Sequence, residues 1–169
     1  ADIYGKGNVP TDFGSASKIA TQFKTDYKLY QKRIALALEQ LKAAGAQNGK
    51  IAVIGYCFGG TGALETARAG LDVAGVVCIH GGLGKAADRP NELIKAKILV
   101  ENPAEDKGVT KEIYEQLVQE MNEGKADWQI ITYANCGHTF TNPTSREYNE
   151  VMAKRAWNHT LLFLGELLK

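Results

Sequence analysis

Residues 50–62 read Lys-Ile-Ala-Val-Ile-Gly-Tyr-Cys-Phe-Gly-Gly-Thr-Gly, a short apolar run that ends in a glycine-rich turn. Consecutive apolar residues are typical of a strand that helices cover on both faces, so we expect a central parallel strand over residues 50–56. The next residues, 63–69, are good helix formers, and Gly70 favours a helix end after them. A strand, a sharp turn and a helix therefore meet at Cys57.

The rest of the chain continues this alternation of helix and strand. Helical periodicity runs from Tyr27 to Ala44, just before Gly45, and a shorter helix can start at Ser15. Beyond residue 70 the pattern predicts three more strands and two more helices, over residues 73–79, 96–100 and 128–133 and over residues 110–122 and 151–168. Alternating elements predict an α/β fold, with a parallel sheet covered by helices on both faces.

Length and charge limit the function classes. A chain of 169 residues corresponds to one domain at roughly 150 residues per domain. Twenty Lys and Arg residues against 19 Asp and Glu residues leave a formal net charge of +1, so no broad field attracts nucleic acid or an anionic membrane. We expect a small molecule as the partner.

The cysteine content indicates the compartment and the absence of a structural metal. Three cysteines are too few and odd in number for a disulfide framework, and none is paired at zinc-ligand spacing. We therefore expect reduced thiols, no metal and no cofactor. No signal peptide or membrane-spanning run is visible in the sequence, which indicates a cytoplasmic protein.

The turn at Cys57 has the form Gly55-Tyr-Cys-Phe-Gly59, with a cysteine where the G-x-S-x-G elbow of hydrolases carries its nucleophile. In such a turn we expect glycines two positions on either side to prevent clashes. The N–H groups at the start of the next helix favour a thiolate at Cys57, and the Phe58 N–H can stabilise an oxyanion. The alternative is a small buried cysteine that only packs there, as we expect for Cys78.

Carboxylates follow the strand predicted over residues 96–100. Glu101 comes directly after it, whereas Asp106 lies further into the following loop, far enough for its carboxylate to reach a histidine in a later loop at the same edge of the sheet. Asp106 is therefore the better candidate for an acid that orients a histidine. The competing interpretation is an ordinary solvated acidic loop.

The chain has only three histidines. His138 follows Gly137 in the loop after the last predicted strand, and it alone fits the chain order nucleophile, acid, histidine of α/β-hydrolases. His80 ends a strand and either contacts the site or caps the strand, while His159 is expected on the surface of the last helix. Together, Cys57, Asp106 and His138 indicate a cysteine-dependent hydrolase that cleaves an ester or lactone through a thioester.

The motifs that carry a resemblance lie along the whole chain. The segments 53–60, 104–106 and Gly137-His-Thr-Phe-Thr-Asn-Pro143, together with Asp2-Ile-Tyr-Gly-Lys-Gly7, resemble the dienelactone hydrolase family. The resemblance implies an α/β-hydrolase fold in which Cys57 is the nucleophile, His138 the base and Asp106 the orienting acid. It also matches Tyr4 to a tyrosine near the family's substrate pocket.

The chain departs from the family's pattern in two ways. Family members begin with three or four additional strands, so the resemblance implies that residues 1–169 form a single, N-terminally incomplete domain with the C-terminal four strands. The strand over residues 50–56 would then be an exposed edge through which the chain self-associates. In addition, Asn142 stands where family members that act on dienelactone carry an arginine for the substrate carboxylate, so another ester or lactone is expected.

Two other functions compete with hydrolysis. The chain could be a catalytically idle scaffold that keeps the fold and self-associates. A nucleotide-binding domain is a weaker alternative, because the glycines around Cys57 match neither G-x-G-x-x-G nor a P-loop with its lysine.

Overall fold

The computed structural model describes residues 1–169, in which helices and strands alternate. In chain order the elements are α1 (Phe13–Thr25), α2 (Tyr27–Ala43), β1 (Ala52–Tyr56), α3 (Phe58–Arg68), β2 (Gly75–Ile79), β3 (Lys97–Pro103), α4 (Lys111–Glu123), β4 (Trp128–Tyr133) and α5 (Glu150–Leu167). No helix combines the length and the apolarity that crossing a membrane requires.

The four strands form one parallel sheet in the order β1-β2-β3-β4. Tyr56 is paired with Ile79, and Ile79 is paired with Glu101, so the carboxyl ends of β1 and β2 are level. Residues that follow the strands therefore meet at one edge of the sheet, which is where open α/β sheets bind ligands.

Helices cover both faces of the sheet. On one face, α3 and α4 pack on side chains of β2 and β3, and α2 packs on α3. On the other face, α5 covers Val77, Leu99 and Ile131 through Phe163 and its neighbours. The predicted class, an α/β-hydrolase-like parallel sheet between helices, is confirmed.

The structure decides between the two predicted positions of β1. This strand pairs only with β2 and is the edge of the sheet, as the family resemblance implied, and not the central strand that its apolar run alone suggested. The side chains of Ile54 and Tyr56 are 37% and 45% exposed, because α5 lies over the middle of the sheet and leaves this face of β1 uncovered. Consecutive apolar residues thus mark a strand that is suited to burial on both faces but is covered on only one here.

The first helix also begins earlier than predicted. Asp12, not Ser15, caps α1: its carboxylate accepts a hydrogen bond from the Ser15 N–H at 2.9 Å, and the Ser15 side chain pairs back with the Asp12 backbone. Such a capping box fixes a helix start by satisfying N–H groups that have no acceptor within the helix.

Candidate active site

Cys57 occupies a strained turn between β1 and α3. Its backbone has φ 51° and ψ −116°, a conformation that non-glycine residues rarely adopt and that often marks functional sites. Gly55 is required at this turn, since a Cβ there would lie 1.8 Å from the carbonyl oxygen of Gly59. The expectation for Gly59 itself is wrong: a Cβ at Gly59 would meet nothing within 4 Å, whereas one at Gly60 would lie 2.8 Å from Gly81 Cα.

The start of α3 is held by aromatic packing. The Phe58 ring stacks on Tyr30 with centroids 4.6 Å apart, and the Tyr30 hydroxyl donates a hydrogen bond of 2.8 Å to the Phe58 carbonyl. The Phe58 N–H belongs to the first helical turn, whose amides have no acceptor within the helix and point towards the turn. Tyr4 packs on the Phe58 ring at 5.5 Å but does not line the cavity beside Cys57, so its binding role stays a prediction.

His138 and Asp106 form a hydrogen-bonded pair next to this turn. Asp106 Oδ2 lies 2.7 Å from His138 Nδ1, and Asp106 Oδ1 accepts a hydrogen bond of 2.9 Å from the Gly108 N–H. The Asp106 side chain is only 5% exposed, whereas that of His138 is 43% exposed. The carboxylate is therefore fixed by the loop after β3, and it fixes one nitrogen of an accessible imidazole.

His80 lies closer to the thiol than the sequence indicated. Its Nδ1 is 3.3 Å from Cys57 Sγ and accepts a hydrogen bond of 3.3 Å from the Cys57 N–H, while Nε2 lies 2.7 Å from Thr141 Oγ1. An accepting Nδ1 means that the neutral ring carries its proton on Nε2. The sequence left two roles open for His80, contact with the site or capping of the strand, and in the structure His80 contacts the site.

The thiol lies between two imidazoles. One ligand-type atom each from Cys57, His80 and His138 lies within 4.8 Å of the others, a combination that could also hold a metal ion. Burial of the thiol opposes ionisation, but its interactions with His138 and His80 outweigh burial and lower the pKa of Cys57 to about 6. Interaction with Cys57 raises the pKa of His138 to about 9 against the effect of burial, and the Asp106 contact adds to the increase.

A cavity of about 410 Å³ opens beside Cys57 on the α5 side of the sheet. It is lined by Tyr56, Cys57, Ile79, His80, Thr139, Thr141, Asn142, Ala153, Ala156 and Trp157. None of these residues is a Lys, Arg, Asp or Glu. The cavity is thus suited to an uncharged group, and Asn142, the position that lacks the family's arginine, is part of its wall.

Glu101 and His159 lie in surroundings that the sequence did not predict. Glu101 is inside β3 and fully buried, where Tyr133 and Thr160 donate hydrogen bonds to its carboxylate. Burial raises the pKa of Glu101 to about 7, although both hydrogen bonds oppose the increase. His159 is not simply on the surface, because its Nδ1 lies 2.7 Å from the Tyr133 hydroxyl and the residue is partly buried.

Known proteins match this chain along most of its length. A probable 2-oxo-3-(5-oxofuran-2-ylidene)propanoate lactonase of Bradyrhizobium sp. is 25% identical over 174 residues, which cover 96% of this chain and 69% of that protein. An uncharacterized protein of Caenorhabditis elegans is 31% identical over 144 residues, or 79% of this chain and 91% of the relative.

Solved structures agree with the sequence comparison. The crystal structure of P91, a dienelactone hydrolase-like promiscuous phosphotriesterase from metagenomic libraries, superposes with a TM-score of 0.89 at 30% identity, covering 100% of this chain and 74% of that one. The profile of the dienelactone hydrolase family matches residues 1–168. The protein is therefore a member of the dienelactone hydrolase family and, by class, an ester or lactone hydrolase.

Proposed function

We propose that the protein hydrolyses small uncharged esters or lactones through a thioester on Cys57, with His138 as the base and Asp106 as the residue that orients it. The observation that carries this proposal is the geometry of the turn. Cys57 is held at positive φ at the start of α3, within 4.8 Å of an imidazole whose other nitrogen is bound by a buried carboxylate. Catalytic hydrogen bonds are often long before substrate binds, so this separation is compatible with proton transfer.

Acylation starts from the ion pair in which His138 has already taken the thiol proton, the state that the lowered pKa of Cys57 and the raised pKa of His138 favour at neutral pH. The Cys57 thiolate attacks the carbonyl carbon, a C–S bond forms, and the carbonyl electron pair moves to the oxygen, which the Phe58 N–H stabilises. The oxyanion then collapses and the C–O bond to the leaving group breaks. His138 returns its proton to the departing alkoxide, which leaves as an alcohol, or stays attached if the substrate is a lactone.

Deacylation uses the same imidazole as a base. His138 accepts a proton from water, and the resulting hydroxide attacks the thioester carbonyl. Collapse of the second oxyanion breaks the C–S bond, so that the carboxylic acid leaves and the Cys57 thiolate is regenerated beside the protonated His138. Asp106 binds Nδ1 throughout, which keeps the reacting lone pair of His138 on Nε2.

The cavity wall supports an uncharged substrate. No Lys or Arg lines the cavity that could pair with a substrate carboxylate, and the indole of Trp157 and the side chains of Ile79 and Ala156 supply apolar surface. We expect neutral short-chain esters to be cleaved with a higher kcat/KM than esters that carry a carboxylate on the acyl group. An equal or higher kcat/KM for the charged esters would contradict this assignment.

Selective alkylation tests the role of Cys57. Iodoacetamide at neutral pH should label Cys57 faster than Cys78 and Cys136, because burial raises the pKa of Cys78 to about 12 and also raises that of Cys136. Cys57→Ala should abolish hydrolysis of p-nitrophenyl acetate while the far-UV spectrum and melting temperature stay as in the wild type. Equal labelling of all three thiols in the folded protein would favour the idle scaffold instead.

Substitution of the other two residues tests their roles. His138→Gln should lower the acylation rate by about 10²–10⁴-fold, the usual contribution of a general base. Asp106→Asn should cause much of the same loss, although its retained oxygen can still accept from the Gly108 N–H. Glu105→Gln in the same loop and His159→Gln are the matched controls, and a loss confined to the controls would refute the assignment.

A further inference from the structure

His80 has no part in the proposed reaction, yet its ring is in polar contact with the thiol. The distance from Cys57 Sγ to His80 Nδ1 is 3.3 Å, and one ring nitrogen of His138 completes a set of three atoms that all lie within 4.8 Å of one another. Hydrolysis needs one imidazole beside the nucleophile, and the structure has two. The second imidazole therefore points to an additional property of this site.

The two imidazoles are arranged as metal ligands are. His138 Nδ1 is engaged by Asp106 at 2.7 Å, and His80 Nε2 lies 2.7 Å from the Thr141 hydroxyl. These contacts leave His138 Nε2 and His80 Nδ1 beside the thiol. His80 Nδ1 accepts only a long hydrogen bond of 3.3 Å from the Cys57 N–H, which also reaches the Ile79 carbonyl at 3.1 Å, and a metal replaces the proton on His138 Nε2. Metal-bound histidines have the same pattern, since their second nitrogen almost always donates to a carboxylate or another oxygen, which orients the ring.

The donor set and its size match Zn²⁺ in particular. Zinc prefers sulfur and nitrogen ligands in a tetrahedron, and bonds of about 2.3 Å to sulfur and 2.0–2.1 Å to nitrogen place neighbouring ligand atoms about 3.3–3.6 Å apart. The Cys57–His80 distance of 3.3 Å is already in that range. The longest separation, at most 4.8 Å, has to close by about 1 Å, which requires a small shift of the His138 ring, whose side chain is 43% exposed, while Nδ1 keeps its hydrogen bond to Asp106.

We propose that Cys57, His80 and His138 form a binding site for one Zn²⁺, which blocks hydrolysis while it is bound. The metal takes the lone pairs of Sγ, His80 Nδ1 and His138 Nε2, and the one proton of the Cys57–His138 pair is released to the buffer. Its fourth position opens on the cavity beside Cys57, where a water molecule completes the tetrahedron. The nucleophile and the base are then both occupied. The block of hydrolysis rests on the proposed function, whereas metal binding does not.

Cobalt substitution tests the site without measuring hydrolysis. Titration of the reduced protein with Co²⁺ should produce a thiolate-to-cobalt charge-transfer band that saturates at one equivalent and disappears when Zn²⁺ is added. Cys57→Ser should lose the band. His80→Gln and Thr141→Val should each weaken Zn²⁺ binding by about tenfold or more in competition with a chromogenic chelator, while His159→Gln should bind as the wild type does.

The outcomes separate this proposal from its alternatives. Absence of the band in the wild type, or wild-type affinity in both His80→Gln and Thr141→Val, would overturn the site. Thermal melts establish that each variant is folded, and Thr141→Val, which removes only the outer hydrogen bond, serves if His80→Gln does not fold. If His80→Gln does not fold, wild-type Zn²⁺ affinity in Thr141→Val is enough to overturn the assignment of His80 as a ligand.

Protection of the thiol tests the blocking effect. Stoichiometric Zn²⁺ should slow iodoacetamide labelling of Cys57 and ester hydrolysis by the same factor, and EDTA should restore both rates. A rise in hydrolysis with Zn²⁺ would overturn the block and make the metal an activator. Band formation and protection of Cys57 in a protein without any esterase activity would support the site and refute the proposed function.

Discussion

Ionisation of Cys57 and His138 sets the pH range in which the metal-free enzyme should work. Acylation needs the thiolate, so kcat/KM should rise as the pH increases through about 6, the lowered pKa of Cys57. The leaving group needs the His138 proton, so the rate should fall above about pH 9, the raised pKa of His138. We expect a plateau between these values for alkyl esters in the presence of EDTA. p-Nitrophenyl esters, whose phenolate leaves without a proton, should show the rise near pH 6 but lack the fall above pH 9.

Alkylation of Cys57 gives an independent measure of the thiolate. In the wild type the labelling rate should reach half of its maximum near pH 6, and in His138→Gln the midpoint should move up towards the ordinary thiol value, because one of the two stabilising imidazoles is gone. A wild-type midpoint at or above pH 8.5 would contradict an ion pair of Cys57 and His138.

Among individual residues, the sequence predicted those that a local motif or their order along the chain marks. The Gly55-x-Cys57 turn and the chain order of Cys57, Asp106 and His138 were sufficient to find three residues that the structure brings together. The contact of His80 was left open, because it depends on the register in which Tyr56 pairs with Ile79. That pairing places the residues after β1 and β2 side by side, and no local pattern records it.

Among the elements, α3 carries Cys57 at its N-terminus, and buried charges hold it against α4. Arg68, in the last turn of α3, donates hydrogen bonds of 2.9 and 2.8 Å to the two carboxylate oxygens of Glu120 on α4 and one of 2.8 Å to the Leu83 carbonyl. The side chains of Arg68 and Glu120 are 3% and 5% exposed. This pair of parallel hydrogen bonds between buried charges holds α3 in one position relative to α4.

Removal of Arg68 should therefore destabilise the protein strongly. Arg68→Met leaves Glu120 and Glu65 buried with one cation fewer, and breaking a buried pair in this way costs about 3–5 kcal/mol of unfolding free energy. The control is Lys154→Met, which removes an exposed, solvent-screened pair with Glu150 and should leave the free energy of unfolding almost unchanged. Urea unfolding measures both, and similar losses in the two variants would contradict the role of Arg68.

The type of each helix and strand was predictable from the sequence, whereas several element boundaries and the burial of Glu101 were not. Periodicity located β4 at residues 128–133 as observed, but β3 continues to Pro103, three residues beyond its prediction, because hydrogen bonds to β4 extend it. The fully buried Glu101 in that extension reads as a loop residue in the sequence. Its burial is made possible by Tyr133 and Thr160 from other elements, which no local pattern shows.

At the scale of the whole molecule, the sheet is open along β1. This strand forms its ladder with β2 alone, so its other side presents unpaired N–H and C=O groups, and Ile54 and Tyr56 add exposed apolar surface. An apolar edge of this kind pairs readily with another strand, and natural proteins commonly block such pairing with a lysine on the edge. The nearest available partner in a purified sample is the same edge of a second copy.

We therefore expect the isolated chain to self-associate, with a weight-average mass that rises with concentration in sedimentation experiments. Ile54→Lys should return it to the monomer, because a charge at the edge has to be desolvated when two edges pair. Leu162→Lys is the matched control: Leu162 on α5 is 73% exposed, away from the edge, and its replacement should leave association unchanged. A wild-type chain that stays monomeric at every concentration would refute pairing through β1, and dissociation by Leu162→Lys instead would move the interface to α5.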